Sequence, residues 1–320
     1  MQRDRVFDVA RGLAMLYIIG LWHMSSYSGI FEIPYGDYIK NAALGLFMFL
    51  SGYLLGAKYI IRNVKDGLFF LKKRFLRLYP LYALSLLLFC LHSAIDPHCL
   101  IFSLVGLSTF IPPQPPTLWF VSLLLVFYLI FMPISCLKRR EKVIAISTLY
   151  VVFFVICCIF KDVDYRILFY FPSFVGGVLL SDRPKEKLYG NTITIVSLLL
   201  FVCLIVVANS FNLGFIGIVL IRVVVAFCGA LLILNLSKHI DQYIGKLFIP
   251  ISYASMATYL FHRQVISAIR MVYWPEPSVW RVLYLVLFCV PLVLLLGYVI
   301  QRVYDWLLKK IENASIIHRK

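Results

Sequence analysis

The stretch VIAISTLYVVFFVICCIF, residues 143–160, contains no charged side chain. At about 1.5 Å per residue, a helix of this length crosses most of a hydrocarbon core roughly 30 Å thick. A second uncharged run, ITIVSLLLFVCLIVVA, covers residues 193–208. The chain as a whole is 62% hydrophobic and 14% charged, which is more apolar surface than a soluble protein can bury. The sequence therefore predicts an all-α, polytopic integral membrane bundle.

The apolar runs predict about ten spans, at 9–29, 41–61, 75–93, 117–137, 143–160, 166–181, 192–209, 214–234, 247–271 and 281–303. An even number of spans places both termini on one side. Of the 31 Lys and Arg residues, 23 then lie in segments assigned to the cytoplasm and 4 in outward loops. This asymmetry follows the positive-inside rule, so both termini are predicted to be cytoplasmic.

Charge and cysteine content exclude several classes of protein. The net charge of +16 comes from basic residues in short loops, where topology and anionic membrane lipids account for it without nucleic acid. No small-residue cleavage site follows the first span, so we expect that span to be retained. The eight cysteines are scattered without metal-ligand spacing, so we predict neither a disulfide nor a metal site.

The longest outward loop runs from Ser93 to Thr117 and contains the sequence PPQPP at 112–116. Its apolar run from Leu100 to Phe110 is too short to span. We expect this run to form a re-entrant or surface helix that covers a cavity. The two halves of the chain show no convincing repeat, which disfavours a transporter built from inverted repeats.

Ionisable side chains inside a bilayer cost a few kcal/mol, so each is a candidate functional residue. His23, Arg222, His262 and Arg263 fall within predicted spans. The two imidazoles are placed at a similar depth, so they either share a cavity or each form packing hydrogen bonds. Arg222 either pairs with a carboxylate or binds an anionic substrate, and because few acids lie in the spans, the substrate or a backbone carbonyl is the expected partner.

Basic residues at the cytoplasmic edge form a second group. Arg11 opens the first span about 18 Å below His23, which is the reach of a phosphopantetheine arm. Arg11 is either an anion ligand or a topology anchor. In the segment KKRFLRLYP, residues 72–80, Lys73 and Arg74 are each spaced to share a helical face with Arg77. Such a cluster suits phosphates or lipid headgroups.

These segments together resemble the acyltransferase type 3 family of membrane proteins. The motifs that carry the resemblance, in chain order, are DVARGLA at 8–14 with His23, FMFLSGYL at 47–54, RFLRLYP at 74–80, LWFVSL at 118–123 and SYASMATYLFH at 252–262. The resemblance implies a single transmembrane acyltransferase domain at 1–308, a short basic cytoplasmic tail at 309–320, and a location in the bacterial inner membrane.

It also implies transfer of an acyl group, taken to be acetyl, from acetyl-CoA or another acyl-CoA to a hydroxyl of a glycan or lipid-linked sugar. His23 and His262 would be catalytic, and Arg11, Arg74 and Arg77 would bind the coenzyme phosphates. The expected cavity residues are Ser51, Tyr79, Trp119, Ser122, Arg222, Tyr259 and Arg263.

The sequence departs from the family pattern in two places. Eleven residues separate Arg11 from His23 where the family usually has ten, which turns the imidazole by about 100° on an ideal helix. Either a local bulge near Gly20 compensates, or the partner geometry differs. Many relatives carry acids after the Trp-Phe element, where this chain has Leu124, Leu125 and Val126, so no carboxylate role transfers to those positions.

Two other functions fit the same sequence. A transporter or flippase for a glycan or anionic substrate would use Arg222 and the histidines along its path, and it predicts flux without acyl-CoA. A non-catalytic partner in polysaccharide assembly predicts neither flux nor coenzyme A binding.

Overall fold

The computed structural model describes residues 4–92 and 97–317, and the regular elements within these ranges are helices. They are α1 (Arg5–Ser28), α2 (Gly36–Lys58), α3 (Val64–His92), α4 (Pro97–Val105), α5 (Trp119–Ser135), α6 (Arg139–Ile159), α7 (Arg166–Leu180), α8 (Asn191–Ser210), α9 (Phe215–Ile244), α10 (Phe248–Val272) and α11 (279–317). Short 3₁₀ turns lie at Lys185–Leu188 and Gly245–Leu247. The predicted all-α class is confirmed for the described ranges.

Seven helical stretches of the described chain are long and apolar enough to cross a membrane. One of the seven, Phe215–Val272, contains both α9 and α10, and the apolar helices α5 and α7 are shorter than the other spans. The protein is therefore a polytopic helical membrane protein. The count of ten spans and the cytoplasmic termini remain predictions.

Some helices extend beyond the predicted spans. Helix α9 continues to Ile244, past the predicted end at residue 234. The C-terminal part of α11 runs from Val290 to Ile317 and passes through the domain boundary predicted after residue 308. The last residues of the predicted tail, 318–320, lie outside the described residues, and the boundary itself remains a prediction.

Helix α1 changes type in its middle. Its α-helical part Arg5–Met15 is followed by a π-helical segment, Leu16–Trp22, and then by an α-helical end, His23–Ser28. A π-helical turn absorbs one residue more than an α-helical turn. The bulge that the spacing offered as one explanation is therefore present, it includes Gly20, and it lies between Arg11 and His23.

Helix α2 is the central helix of the bundle and packs closely on α7 and α9. A methyl group added at Gly52 would overlap the carbonyl of Phe174, and one added at Gly45 would overlap the carbonyl of Ala226. Gly177 of α7 is equally close to the α2 backbone. Small residues let helix backbones approach in membrane proteins, where packing replaces the hydrophobic effect as the source of association. These contacts hold α2 against α7 and α9, the three helices whose ends carry polar side chains.

Candidate functional site

A cavity of about 590 Å³ lies where the ends of α1, α2, α7 and α9 meet the segment 114–119 and the middle of α10. Its lining includes residues of the loops that the sequence assigns to the outside. The polar and aromatic residues that line it are Trp22, His23, Asp37, Lys40, Asn41, Gln114, Thr117, Trp119, Asp164, Tyr165, Arg166, Phe169, Tyr170, Arg222, Tyr259 and Arg263. The Pro-rich segment contributes Pro115 and Pro116 to the cavity wall, whereas the run from Leu100 to Phe110, which was expected to cover a cavity, contributes no lining residue.

Two histidines meet at this cavity. His23 lines it, and the ring of His262 lies behind, with the two ring centroids 4.7 Å apart. His262 is completely buried, and its Nδ1 lies 2.7 Å from the carbonyl oxygen of Tyr259. A carbonyl oxygen only accepts, so Nδ1 carries the hydrogen and Nε2 of the neutral ring carries a lone pair. Nε2 has no hydrogen-bond partner among the described residues.

The π-helical segment explains why His23 reaches His262. The first helix ends in the α-helical turn His23–Ser28, directly after the π-helical residues. The inserted residue is absorbed before His23, which keeps the imidazole on the face that meets α10. The sequence predicted a shared cavity as one of two options, and the ring contact places the imidazoles together.

Arg166 begins α7 and forms one charged cluster on the cavity wall. Its Nε donates to both carboxylate oxygens of Asp164 at 2.7 and 2.9 Å, and Nη2 donates to the side-chain oxygen of Gln114 at 2.9 Å. The guanidinium lies over the indole of Trp119, 3.8 Å from the ring centroid, and Tyr170 stacks on that indole. These contacts hold the guanidinium in one orientation, while its other N–H groups remain available to a ligand.

Arg222 contacts two kinds of partner that the sequence offered for it. It forms an ion pair with the carboxylate of Asp37 and lies over the ring of Tyr38, 4.6 Å from its centroid. Its Nη1 also lies 3.5 Å from the backbone oxygen of Asp37, so the expected contact with a backbone carbonyl is present beside the carboxylate partner. Asp37 was assigned to an outward loop, but it belongs to the first turn of α2. The same carboxylate also pairs with Lys40.

Arg263 differs from the other cations of the cavity. It follows His262 on α10, and its Nε is buried without a hydrogen-bond partner among the described residues. The lining contains four cations, Lys40, Arg166, Arg222 and Arg263, against the two carboxylates Asp37 and Asp164. The cavity therefore carries an excess of positive charge that the chain itself does not neutralise.

Several expected cavity residues have other surroundings. The hydroxyl of Tyr79 donates to the carbonyl of Leu104 at 2.8 Å. The hydroxyl of Ser122 is bonded to Tyr82 and Ser108, both at 2.9 Å. These bonds join α3 to α4 and to α5, and α5 to the segment after α4. Tyr79 and Ser122 do not line the cavity, and neither does Ser51, whereas Trp119, Arg222, Tyr259 and Arg263 do.

The three arginines assigned to the coenzyme also lie outside this cavity. Arg77 is exposed on α3, and Arg11 is half-buried on α1. The guanidinium of Arg74 lies 5.0 Å from the ring centroid of Tyr59 and less than 6 Å from two further aromatic rings, and its Nε is buried without a hydrogen-bond partner among the described residues. Arg11, Arg74 and Arg77 therefore do not contribute to the histidine cavity.

A small apolar recess adjoins the cavity and shares Leu44 and Tyr259 with it. It has a volume of about 30 Å³, room for about one methyl-sized group. Its remaining lining residues are Met15, Phe47, Phe120, Ser255 and Met256. Met15 lies one helical turn after Arg11, so the recess is on the Arg11 side of the histidine pair.

The polar cavity residues that sequence reasoning missed include Asp37, Lys40, Gln114, Asp164 and Arg166. All five lie in segments assigned to outward loops, where they were treated only as charges or turn residues. It also missed the buried hydrogen bond of 2.7 Å from Ser252 to Asp8, which ties α10 to α1. The one signal for Asp8 in the sequence was its position in the first-helix motif DVARGLA.

The fold and the site together define a polytopic helical membrane protein with a cation-rich cavity that contains a histidine pair. Residues 4–302 match the type 3 family model described as an acyltransferase domain. The chain belongs to this family of membrane acyltransferases.

One curated relative is a Rhizobium radiobacter protein described as "Protein 2 in picA locus". It is 36% identical over 132 residues, a match that covers 35% of this chain and 65% of that protein. The matched part is thus less than two thirds of the relative. No solved structure matches this chain.

Proposed function

We propose that this protein transfers an acetyl group from acetyl-CoA, presented at the cytoplasmic face of the bacterial inner membrane, to a hydroxyl of a glycan or lipid-linked sugar. Family membership supports the reaction class. The observation that carries the proposal is the histidine pair, with His23 in the wall of a cavity of about 590 Å³ and His262 buried against it.

His23 acts as general base in this proposal, because it is the imidazole that lines the cavity. It takes the proton of the acceptor hydroxyl as the new carbon–oxygen bond forms, and it returns that proton to the sulfur that leaves when the thioester bond breaks. His262 orients His23 through its ring contact. The bond from Nδ1 of His262 to the carbonyl of Tyr259 fixes the tautomer of this second ring.

The donor side of the proposal rests on the basic residues of α1 and α3. The buried Nε of Arg74 lacks a protein partner within the described ranges, and the neighbouring Lys73 and Arg77 are exposed. Such a group fits the phosphates of coenzyme A at the membrane surface. When bound, the donor supplies the acyl group as a thioester. The apolar recess beside Tyr259 has room for a methyl group, which favours acetyl over longer chains.

The test is transfer of label from [acetyl]-CoA into the glycan fraction of membranes that contain the protein. Loss of His23 as general base is expected to reduce transfer by about 10²-fold or more. The comparison uses His23→Ala and the matched control His239→Ala, which removes an exposed imidazole from α9. Full transfer by a well-folded His23→Ala variant would refute the mechanism. Substrate flux without acyl-CoA, and without label, would instead favour a transporter.

A further inference from the structure

We infer that the acceptor is an anionic glycan, with a carboxylate or phosphate that binds Arg263 and Arg166 while its hydroxyl faces His23. This inference rests on the proposed function and adds the chemical class of the acceptor.

Arg263 is a cavity cation with a buried donor that bonds to no described residue. A guanidinium carries a permanent positive charge and five donors, and burying one of these without an acceptor is unfavourable. Arg263 lines the cavity directly after His262 in sequence, and its buried Nε has no acceptor among the described residues. An anionic group in the cavity would neutralise the charge of this guanidinium within reach of the histidine pair.

Arg166 is the second cation that we assign to the anion. Asp164, Gln114 and Trp119 hold this guanidinium in place, and their bonds use Nε and Nη2. A guanidinium with its plane fixed is preorganised for a carboxylate or phosphate, because both groups accept two parallel N–H bonds. Its one carboxylate partner, Asp164, uses only part of that capacity.

The charged side chains that line the cavity add up to a positive excess. Asp37 is shared by Lys40 and Arg222, so these three side chains leave one positive charge in excess. Arg263 adds a second, since its Nε is not bonded to a carboxylate. A neutral sugar would leave this excess uncompensated, whereas an acceptor with one or two negative charges would neutralise it.

The size and position of the cavity select a glycan over the donor. A volume of about 590 Å³ lies within the range of roughly 300–1,000 Å³ that holds drug-sized ligands. Part of its lining comes from the loops assigned to the outside, while the residues assigned to coenzyme A lie elsewhere. The cavity is therefore placed for an acceptor that is not cytoplasmic.

The first experiment measures the charge of the labelled product. Membranes that make this protein receive label from [acetyl]-CoA, and the labelled glycan is applied to an anion exchanger. The expected result is that the label is retained and elutes with salt. Label in the flow-through would identify a neutral acceptor and overturn the inference while leaving acyl transfer intact. An absence of label in every fraction would instead count against the proposed function.

The second experiment does not require activity. Purified protein is heated with glucuronate, glucose 1-phosphate or glucose at equal ionic strength, and the unfolding midpoint is read from tryptophan fluorescence. The anionic sugars are expected to raise the midpoint saturably and glucose is not. Arg263→Gln should weaken the apparent affinity for the anions by about tenfold or more, which is the loss of a charge-assisted bond.

The matched control is Arg270→Gln, which removes an exposed arginine from the same helix and should leave the affinity unchanged. Equal stabilisation by glucose, or an undiminished response in Arg263→Gln, would overturn the inference. Equal stabilisation by glycerol 3-phosphate would assign the anion to a lipid headgroup and would also overturn it. Competition by coenzyme A at this site would assign the cavity to the donor, with the same consequence.

Discussion

The imidazole rings of His23 and His262 lie with their centroids 4.7 Å apart and their planes inclined at 39°. One ring belongs to α1 and lines the cavity, and the other belongs to α10 and is completely buried. The two rings therefore work together in catalysis only if His262 acts through Nε2, the nitrogen that has no hydrogen-bond partner among the described residues.

Replacing His262 by Asn tests that requirement. The amide of Asn can mimic the Nδ1–H donor to the carbonyl of Tyr259, but it has no group at the position of Nε2. We expect acyl transfer to fall by about 10²-fold while the unfolding temperature changes little. The measurement pairs initial transfer rates with thermal unfolding. Normal activity in the Asn variant would show that Nε2 is not needed.

A deletion tests the role of the π-helical segment. Removing Leu21, which is half-exposed, should convert Leu16–Trp22 to regular α-helix and leave Arg11 and His23 on the same faces. We expect this variant to keep most of its activity. The control deletion of Leu13 lies in the α-helical part and should turn His23 by about 100°, which abolishes transfer. If both deletions reduced transfer equally, the π-helical segment would not compensate for the extra residue between Arg11 and His23.

The close approach of α2 to α7 makes Gly52 sensitive to substitution. Gly52→Ala forces a methyl group against the carbonyl of Phe174, and we expect the free energy of unfolding to fall by about 1–3 kcal/mol. Gly214→Ala is the control, because no atom lies within 4 Å of an added methyl group there. Thermal unfolding in detergent gives the comparison. A Gly52→Ala protein as stable as the control would contradict the packing.

Arg166→Lys separates charge from geometry. Lysine keeps the positive charge but cannot bond Asp164 and Gln114 while lying flat over Trp119. We expect a KM for the acceptor raised about tenfold, with the affinity for coenzyme A unchanged. Steady-state kinetics with varied acceptor, together with coenzyme A binding, provides the measurement. A raised KM for the donor alone would place Arg166 at the wrong substrate.

The apolar recess predicts the choice of acyl chain. Met256→Ala enlarges a recess of about 30 Å³ and should raise the rate with propionyl-CoA relative to acetyl-CoA by about threefold to tenfold. Met271→Ala, which removes an exposed methionine near the end of the same helix, should leave the ratio unchanged. If Met256→Ala left the ratio of the propionyl-CoA rate to the acetyl-CoA rate unchanged, the recess would not hold the acyl group.

The sequence predicted the helical membrane architecture because apolar runs and basic loops are local signals, readable without knowing which helices are neighbours. It placed His23 and His262 at one depth for the same reason. It could not pair Asp37 with Arg222, because 185 positions separate them and Asp37 was assigned to a loop. It also could not show that Tyr79 and Ser122 serve packing, since their partners around α4 are set only when the helices assemble.

Contact between the backbones of α2, α7 and α9 has a mechanical consequence. Gly45, Gly52 and Gly177 leave no free space along these crossings, so the wall that carries Asp37, Arg166 and Arg222 is stiff. The proline-rich segment 112–116 is tied to the same wall, because Nη2 of Arg166 donates to the side-chain oxygen of Gln114. A ligand that enters the cavity therefore meets charged side chains whose positions the glycine contacts have set in advance.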